Sequence, residues 1–308
     1  MRNFLTKSKK PGEAKAAPPR KQHRHNPVQI AYESAPVALP ADFLIADPPD
    51  ARPVTLAAVD WARTAVPEFA GLYAVVLDHV LSASECATLV QLAEDSVPPT
   101  LRNSDSAWNP ALVNIGAGFE VLDPGYRNSD RIIWDNQEVV DRLWGRCLRA
   151  PGLGERLGVV DNDPAVLGPS RRGRWEFRRV NQRMRFLKYA GGQFFKPHCD
   201  SPYRETSADG SATVETVFTV HLYLNDSKAE AEASDRDATE LVGGATSFLS
   251  SDEKRREDVN PKAGRVLIFQ HRRLLHSGDD VVKGVKYTMR TDITYERVAD
   301  REDEPAGV

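Results

Sequence analysis

His198, Cys199 and Asp200 stand together, His276 lies far downstream, and Lys286 follows it by ten residues. Side chains at i and i+2 of a strand point to one face. The spacing therefore aims His198 and Asp200 at a common point and turns Cys199 away. A third ligand must come from another strand, and His276 follows the apolar run Val266-Leu267-Ile268-Phe269. Two imidazoles and one carboxylate on one face of a metal leave three octahedral positions open, which suits Fe(II) oxygenase chemistry better than a closed zinc site. Lys286 then offers a cation for the far carboxylate of a dicarboxylate co-substrate. An HxD pair alone is weak evidence, so the elements around it matter.

Beyond residue 180 the pattern is β-rich. Strands are predicted over Arg183–Ala190, Gln193–His198, Thr216–Leu224, Thr246–Leu249, Arg265–Gln270 and Val285–Tyr295, separated by glycine-bearing turns at 191–192, 243–244, 264 and 278. Upstream, a strand is expected near Leu72–Leu77. Ser82 and Glu85 form a capping box for a helix carrying Cys86, Leu89, Val90 and Ala93. A second helix is expected after Asp135-Asn136, with Val140, Leu143, Trp144, Cys147 and Leu148 on its buried side. The fold class expected is α+β: a double-stranded β-helix (jelly roll) backed by N-terminal helices. The expected organisation is a mostly disordered arm over 1–66, a helical support region over 67–180, a jelly-roll core over 181–297 and an acidic tail over 298–308. Two polar inserts interrupt the core, 201–215 and the acidic 226–241; the second reads as a disordered spacer.

Composition bounds the rest. The 308 residues are 41% hydrophobic and 28% charged, with net charge −3, as in a soluble globular protein with no general pull towards nucleic acid. No apolar run is long enough to span a bilayer. Three scattered cysteines without CxxC spacing and a start lacking an apolar signal point to an intracellular protein, cytoplasmic or nuclear rather than secreted. Cys86 and Cys147 read as core residues. The first 25 residues carry eight Lys and Arg against Glu13 alone, a basic arm that reads either as a targeting signal or as a solubilising tail.

The text around the ligands adds specificity. It runs from Arg185-Phe186-Leu187-Lys188-Tyr189 through Phe194-Phe195-Lys196-Pro197-His198-Cys199-Asp200. It continues with His221-Leu222-Tyr223-Leu224-Asn225, Gly243-Gly244, Leu275-His276-Ser277-Gly278 and Lys286-Tyr287 to Arg290-Thr291-Asp292. This ordered series resembles the 2-oxoglutarate- and Fe(II)-dependent dioxygenases of the prolyl 4-hydroxylase type, over about residues 70–297. The resemblance implies that His198, Asp200 and His276 hold the iron and that Lys286 pairs with the distal carboxylate of 2-oxoglutarate. It implies that the Tyr223 hydroxyl assists that carboxylate, with Tyr189 and Arg290 as further pocket residues. Each of these three also has a plain reading, as packing aromatics or a surface ion pair. The implied activity is hydroxylation of a C–H bond, by default in a peptidyl proline. 2-Oxoglutarate and O2 are the co-substrates, succinate and CO2 are released, and ascorbate is a possible reductant.

Ser277 stands where many members carry Glu, and the acidic insert departs from the pattern, so substrate choice transfers least. One rival is a nucleic-acid demethylase, suggested by the arginine run 171–185, although that family anchors its co-substrate with arginine. A small-molecule hydroxylase of the same superfamily is another. A rival of a different class is a catalytically silent jelly-roll module that binds a partner, which would not need the complete ligand set.

Overall fold

The computed structural model describes residues 26–298 apart from 30, 31, 50, 105, 117, 170 and 208–211. The basic arm with His23 and His25, and all of the acidic tail but Val298, lie outside the described residues. In chain order the elements used below are β1 (Thr55–Ala58), β2 (Ala74–Asp78), α1 (Ala83–Asp95), β3 (Asp130–Asp135) and α2 (Gln137–Cys147). They continue with β4 (Arg174–Val180), β5 (Arg183–Tyr189), β6 (Phe194–His198), β7 (Thr213–Tyr223) and β8 (Thr246–Leu249). The last are β9 (Arg256–Val259), β10 (Val266–Gln270), β11 (His276–Gly278) and β12 (Lys286–Arg297).

Antiparallel pairing joins β1-β2-β10-β7-β12-β5-β3 into a large sheet, with β4 beside the far half of β12. A smaller sheet runs β9-β8-β11-β6. Two packed antiparallel sheets of this kind are consistent with a jelly roll. The alternation along the central strands decides what each face does. On β7, Phe218, Val220 and Leu222 point outward, as do Met289 and Ile293 of β12 and Met184 and Phe186 of β5. They form one buried cluster with Leu89, Leu92 and Ala93 of α1 and Val139, Val140, Leu143 and Trp144 of α2. The opposite side chains, Thr219, His221 and Tyr223 on β7 and Lys286, Thr288, Arg290 and Asp292 on β12, share the other face, across from the smaller sheet.

The helices start where their caps require. Ser82 Oγ accepts from Glu85 N while the Glu85 carboxylate accepts from Ser82 N, and Asn136 accepts from Val139 N. Cys86 and Cys147 are fully buried, and burial pushes both thiols up to about 12, as expected of core cysteines. Leu148 departs from expectation: it lies past the end of α2 and is 44% exposed.

Three segment expectations are corrected. From residue 26 the chain before 67 is not a loose arm. β1 extends the large sheet, Phe43, Leu44 and Trp61 are buried, and Arg142 and Arg146 on α2 bond the carbonyls of Phe43 and Leu44. Residues 67–180 are mixed rather than helical, because apolar and β-branched runs such as Arg131-Ile132-Ile133-Trp134 add strands to the sheet. The 226–241 insert is a packed loop and no spacer. Glu230 pairs with Arg265 at 3.2 Å, and Leu241 buries against Leu187, Tyr189 and Val281.

Candidate active site

His198 ends β6 and His276 begins β11; the two are directly opposite each other in the smaller sheet. Asp200 lies two residues past the end of β6, so a tertiary turn rather than strand alternation brings it to the pair. One donor atom from each of the three residues fits within 4.8 Å of the others. Among the described residues no other group of three His, Cys, Asp or Glu does so. His198 Nδ1 lies 2.8 Å from the Lys196 carbonyl and His276 Nδ1 2.9 Å from that of Leu274. Each Nδ1–H donates to its carbonyl, which fixes the tautomer and leaves Nε2 as a lone pair for a metal. The two Nε2 atoms sit 3.8 and 3.7 Å from the oxygens of Asp200. Burial, then the neighbouring His276, pushes His198 down to about 3, and burial also lowers His276. Both rings are thus neutral at ordinary pH, the form that could ligate a metal.

Asp200 is buried, and burial alone would raise its pKa. Arg290, followed by the surrounding histidines, outweighs burial and holds the carboxyl well below the usual range. Its Oδ1 lies 3.0 Å from Arg290 Nη2, and its Oδ2 accepts from Thr219 Oγ1 at 2.5 Å. Arg290 is held in turn by Asp292 at 3.1 Å, which also takes Arg185 at 3.1 Å and lies 3.3 Å from His271. Arg290 therefore clamps the carboxylate of the ligand set, a different task from the co-substrate contact implied by its place in the series.

Lys286 lies at the other end of the same face. It is 1% exposed, and its side chain makes no hydrogen bond or ion pair with any described residue. Its ammonium sits 5.2 Å from the Tyr189 ring centroid and 5.8 Å from that of Tyr223, a cation–π seat. Burial, opposed in part by Asp279, pulls its pKa down to about 8. Gly244 makes room for it: with φ near +74°, a Cβ there would stand 3.1 Å from Lys286 Cδ. Tyr189 is the direct cross-strand neighbour of Lys286. The Tyr223 hydroxyl is already engaged, donating to Thr246 Oγ1 at 2.7 Å with Val259 O at 3.3 Å. In this structure the hydroxyl faces Thr246 and the ring is what meets Lys286.

Sequence reasoning missed several residues of this face. Thr219, Asp292, Arg185 and His271 support the metal end. His221 Nε2 and Thr288 Oγ1 are buried polar atoms with no partner among the described residues, and the Arg127 guanidinium lies 4.6 Å from the Phe195 ring. The alternation Thr219-His221-Tyr223 and Lys286-Thr288-Arg290-Asp292 was the available signal. Much of the arginine run proposed to meet phosphates is engaged in ion pairs within the chain, several of them at the surface. Arg171, Arg174, Arg178, Arg183 and Arg185 pair with Glu215, Glu176, Glu296, Asp135 and Asp292.

Residues 184–292, which contain all three ligands and Lys286, match the family model of the 2OG-Fe(II) oxygenase superfamily. The chain resembles that superfamily over the segment that builds the site. No curated protein matches the chain. Among solved structures, a viral collagen prolyl hydroxylase from Paramecium Bursaria Chlorella virus-1 is 19% identical, with TM-score 0.40 over 73% of this chain and 97% of that one. A prolyl-4-hydroxylase from Pseudomonas putida is 16% identical, with TM-score 0.42 over 77% and 99%. A prolyl hydroxylase from Trichoplax adhaerens is 17% identical, with TM-score 0.42 over 75% and 88%.

The residues fit the cofactors of this superfamily. Three donor atoms converge with their tautomers set, while an unpaired buried ammonium and orphaned polar atoms lie along the face beside them.

Proposed function

We propose that this chain is an Fe(II)- and 2-oxoglutarate-dependent dioxygenase that hydroxylates a C–H bond of its substrate, by default a peptidyl proline. The observation that carries the reading is the pairing of a converged His198–Asp200–His276 set with a buried, unpartnered Lys286 on the same face. When bound, Fe(II), 2-oxoglutarate and O2 supply the oxidation, with succinate and CO2 as products.

The chain's own residues set the conditions for that chemistry. His198 and His276 offer Nε2 because their Nδ1–H groups are spent on carbonyls. Arg290 and Thr219 keep Asp200 ionised and oriented. Lys286, unpaired and charged below about pH 8, supports capture of the distal carboxylate through a charge-assisted bond. Phe248, Leu267 and Phe269 form a dry apolar cluster on the His276 side, with the Phe269 ring 4.8 Å from that of His276. Proline as the target is supported only by the motif series, and ascorbate by the general need to keep such iron reduced.

The test is anaerobic titration with Fe(II) and 2-oxoglutarate, read by the visible metal-to-ligand charge-transfer band, followed by succinate assays with proline-containing peptides. The band should form in wild type and vanish in His276→Ala. In Lys286→Ala it should require much more 2-oxoglutarate. Folded protein that binds Fe(II) yet shows no band and yields no succinate would overturn the reading in favour of a silent binding module.

A further inference from the structure

His221 is the least explained polar side chain on the inner face. Neither ring nitrogen has a hydrogen-bond partner among the described residues, and Nε2 is wholly buried. A buried imidazole nitrogen with no partner destabilises the fold unless something else satisfies it. Its position narrows what that is. His221 sits on β7 directly across from Arg290 and two residues from Tyr223, with the two rings 4.8 Å apart. Lys286 meets the same Tyr223 ring with its ammonium, so His221 and Lys286 both border that aromatic. His221 is not a fourth ligand, since it is absent from the one cluster of converging donors among the described residues. Its pKa is pulled well down, first by burial and then by the charge of Lys286, so the ring is neutral and carries one N–H.

We infer that His221 is a second anchor for the distal carboxylate of the co-substrate, donating Nε2–H to the carboxylate that Lys286 binds. The inference rests on the reading of the site as a 2-oxoglutarate pocket. An N–H bond to a carboxylate and the ammonium beside it are complementary: Lys286 supplies charge without directionality, and the imidazole supplies a fixed direction. No described carboxylate supplies the acceptor, so a dianionic 2-oxo acid satisfies both groups at once. A simple 2-oxo acid such as pyruvate, which lacks the distal carboxylate, satisfies neither.

The experiment compares wild type, His221→Leu, His221→Gln, Lys286→Ala and the His221→Leu/Lys286→Ala double variant. Each is loaded anaerobically with Fe(II) and titrated with 2-oxoglutarate and, separately, with pyruvate, reading the charge-transfer band. His221→Leu should weaken 2-oxoglutarate binding about tenfold or more, as expected for one lost hydrogen bond to a charged group. His221→Gln, which keeps an N–H donor, should recover most of the loss. Fe(II) affinity measured without any oxo acid should not move, which also shows that the variants fold. Pyruvate should bind wild type and His221→Leu alike, and the double variant should lose less than the two single losses combined. Unchanged 2-oxoglutarate affinity in His221→Leu, or an equal loss for pyruvate, would overturn the assignment while the wild-type band left the pocket reading standing. Absence of the band in wild type would instead sink both.

Discussion

The two ends of the inner face use opposite electrostatic strategies. At the metal end Asp200 has two donors of its own, Arg290 and Thr219, and Arg290 is anchored by Asp292. That end is closed: its geometry is held by the protein before anything binds. At the other end the Lys286 side chain and the Nε2 of His221 are buried, with no hydrogen-bond or ion-pair partner among the described residues. That end is open, and under the proposed reading its polar groups are satisfied by an incoming anion. The difference separates a preorganised ligand set, where support raises fidelity, from a binding pocket, where unmet polarity raises selectivity at a cost to the empty fold.

The strongest way to break this contrast is to remove the group that the closed end exists to hold. Asp200→Ala should abolish Fe(II) binding in an anaerobic titration, a loss exceeding the 10–100-fold typical of outer partners. Arg290 keeps Asp292, so the fold should survive by circular dichroism. Next is Lys286→Met, which should raise the 2-oxoglutarate dissociation constant by about 100-fold, the loss of a buried charge-assisted bond. It should leave Fe(II) affinity intact and stabilise the ligand-free protein by about 1–3 kcal/mol in denaturant unfolding. Destabilisation of the empty protein would show that Lys286 is satisfied internally after all.

Arg290→Leu sharpens the other side. It leaves Asp200 buried with Thr219 as its remaining donor, and Fe(II) affinity should fall by about 10–100-fold. If 2-oxoglutarate affinity fell while Fe(II) affinity held, Arg290 would belong to the open end instead.

The smallest expected effect is in pH. Burial, with Asp279 opposing, sets Lys286 at about 8, so 2-oxoglutarate affinity should be flat below that pH. Above it, affinity should fall by up to about tenfold per unit as the ammonium is lost. In the unfolded chain the amine titrates near its ordinary value of about 10.4. Between about 8 and that value the unfolded state binds more protons. Stability of the ligand-free protein should therefore rise with pH across this window, at no more than about 1.4 kcal/mol per pH unit, a slope missing from Lys286→Met.

Much of this was legible in the chain. Residue type and spacing, with the ordered series around them, pointed to His198, Asp200 and His276 as a set and to Lys286 as the cation beyond them, although a turn and not strand alternation brings Asp200 in. Thr246–Leu249 was located to the residue, and the capping box at Ser82 set the start of α1, because caps and alternation are local rules. The failures share a cause. Leu148 was counted as buried from helical periodicity, but whether a residue at a helix end meets a neighbour depends on the rest of the fold. The segment 226–241 looked like a spacer because its composition is acidic and small. Leu241 and Glu230 nonetheless find Val281 and Arg265, partners 40 and 35 residues away, which composition cannot reveal.

The same division runs through the site. The sequence by itself determined the types of the candidate ligands, the strands that carry the two histidines and the alternation that puts Lys286, Thr288 and Arg290 on one face. Only the tertiary structure decided which of those cations stays free. Arg290 is opposite His221 on one side and Arg185 on the other, within reach of Asp200 and Asp292, whereas Lys286 is opposite Tyr189 and meets only aromatic rings. A side chain's charge is written in the chain, but whether that charge is neutralised depends on carboxylates brought from elsewhere. Folding carried Asp200 to Arg290 and, among the described residues, carried no carboxylate within bonding distance of Lys286.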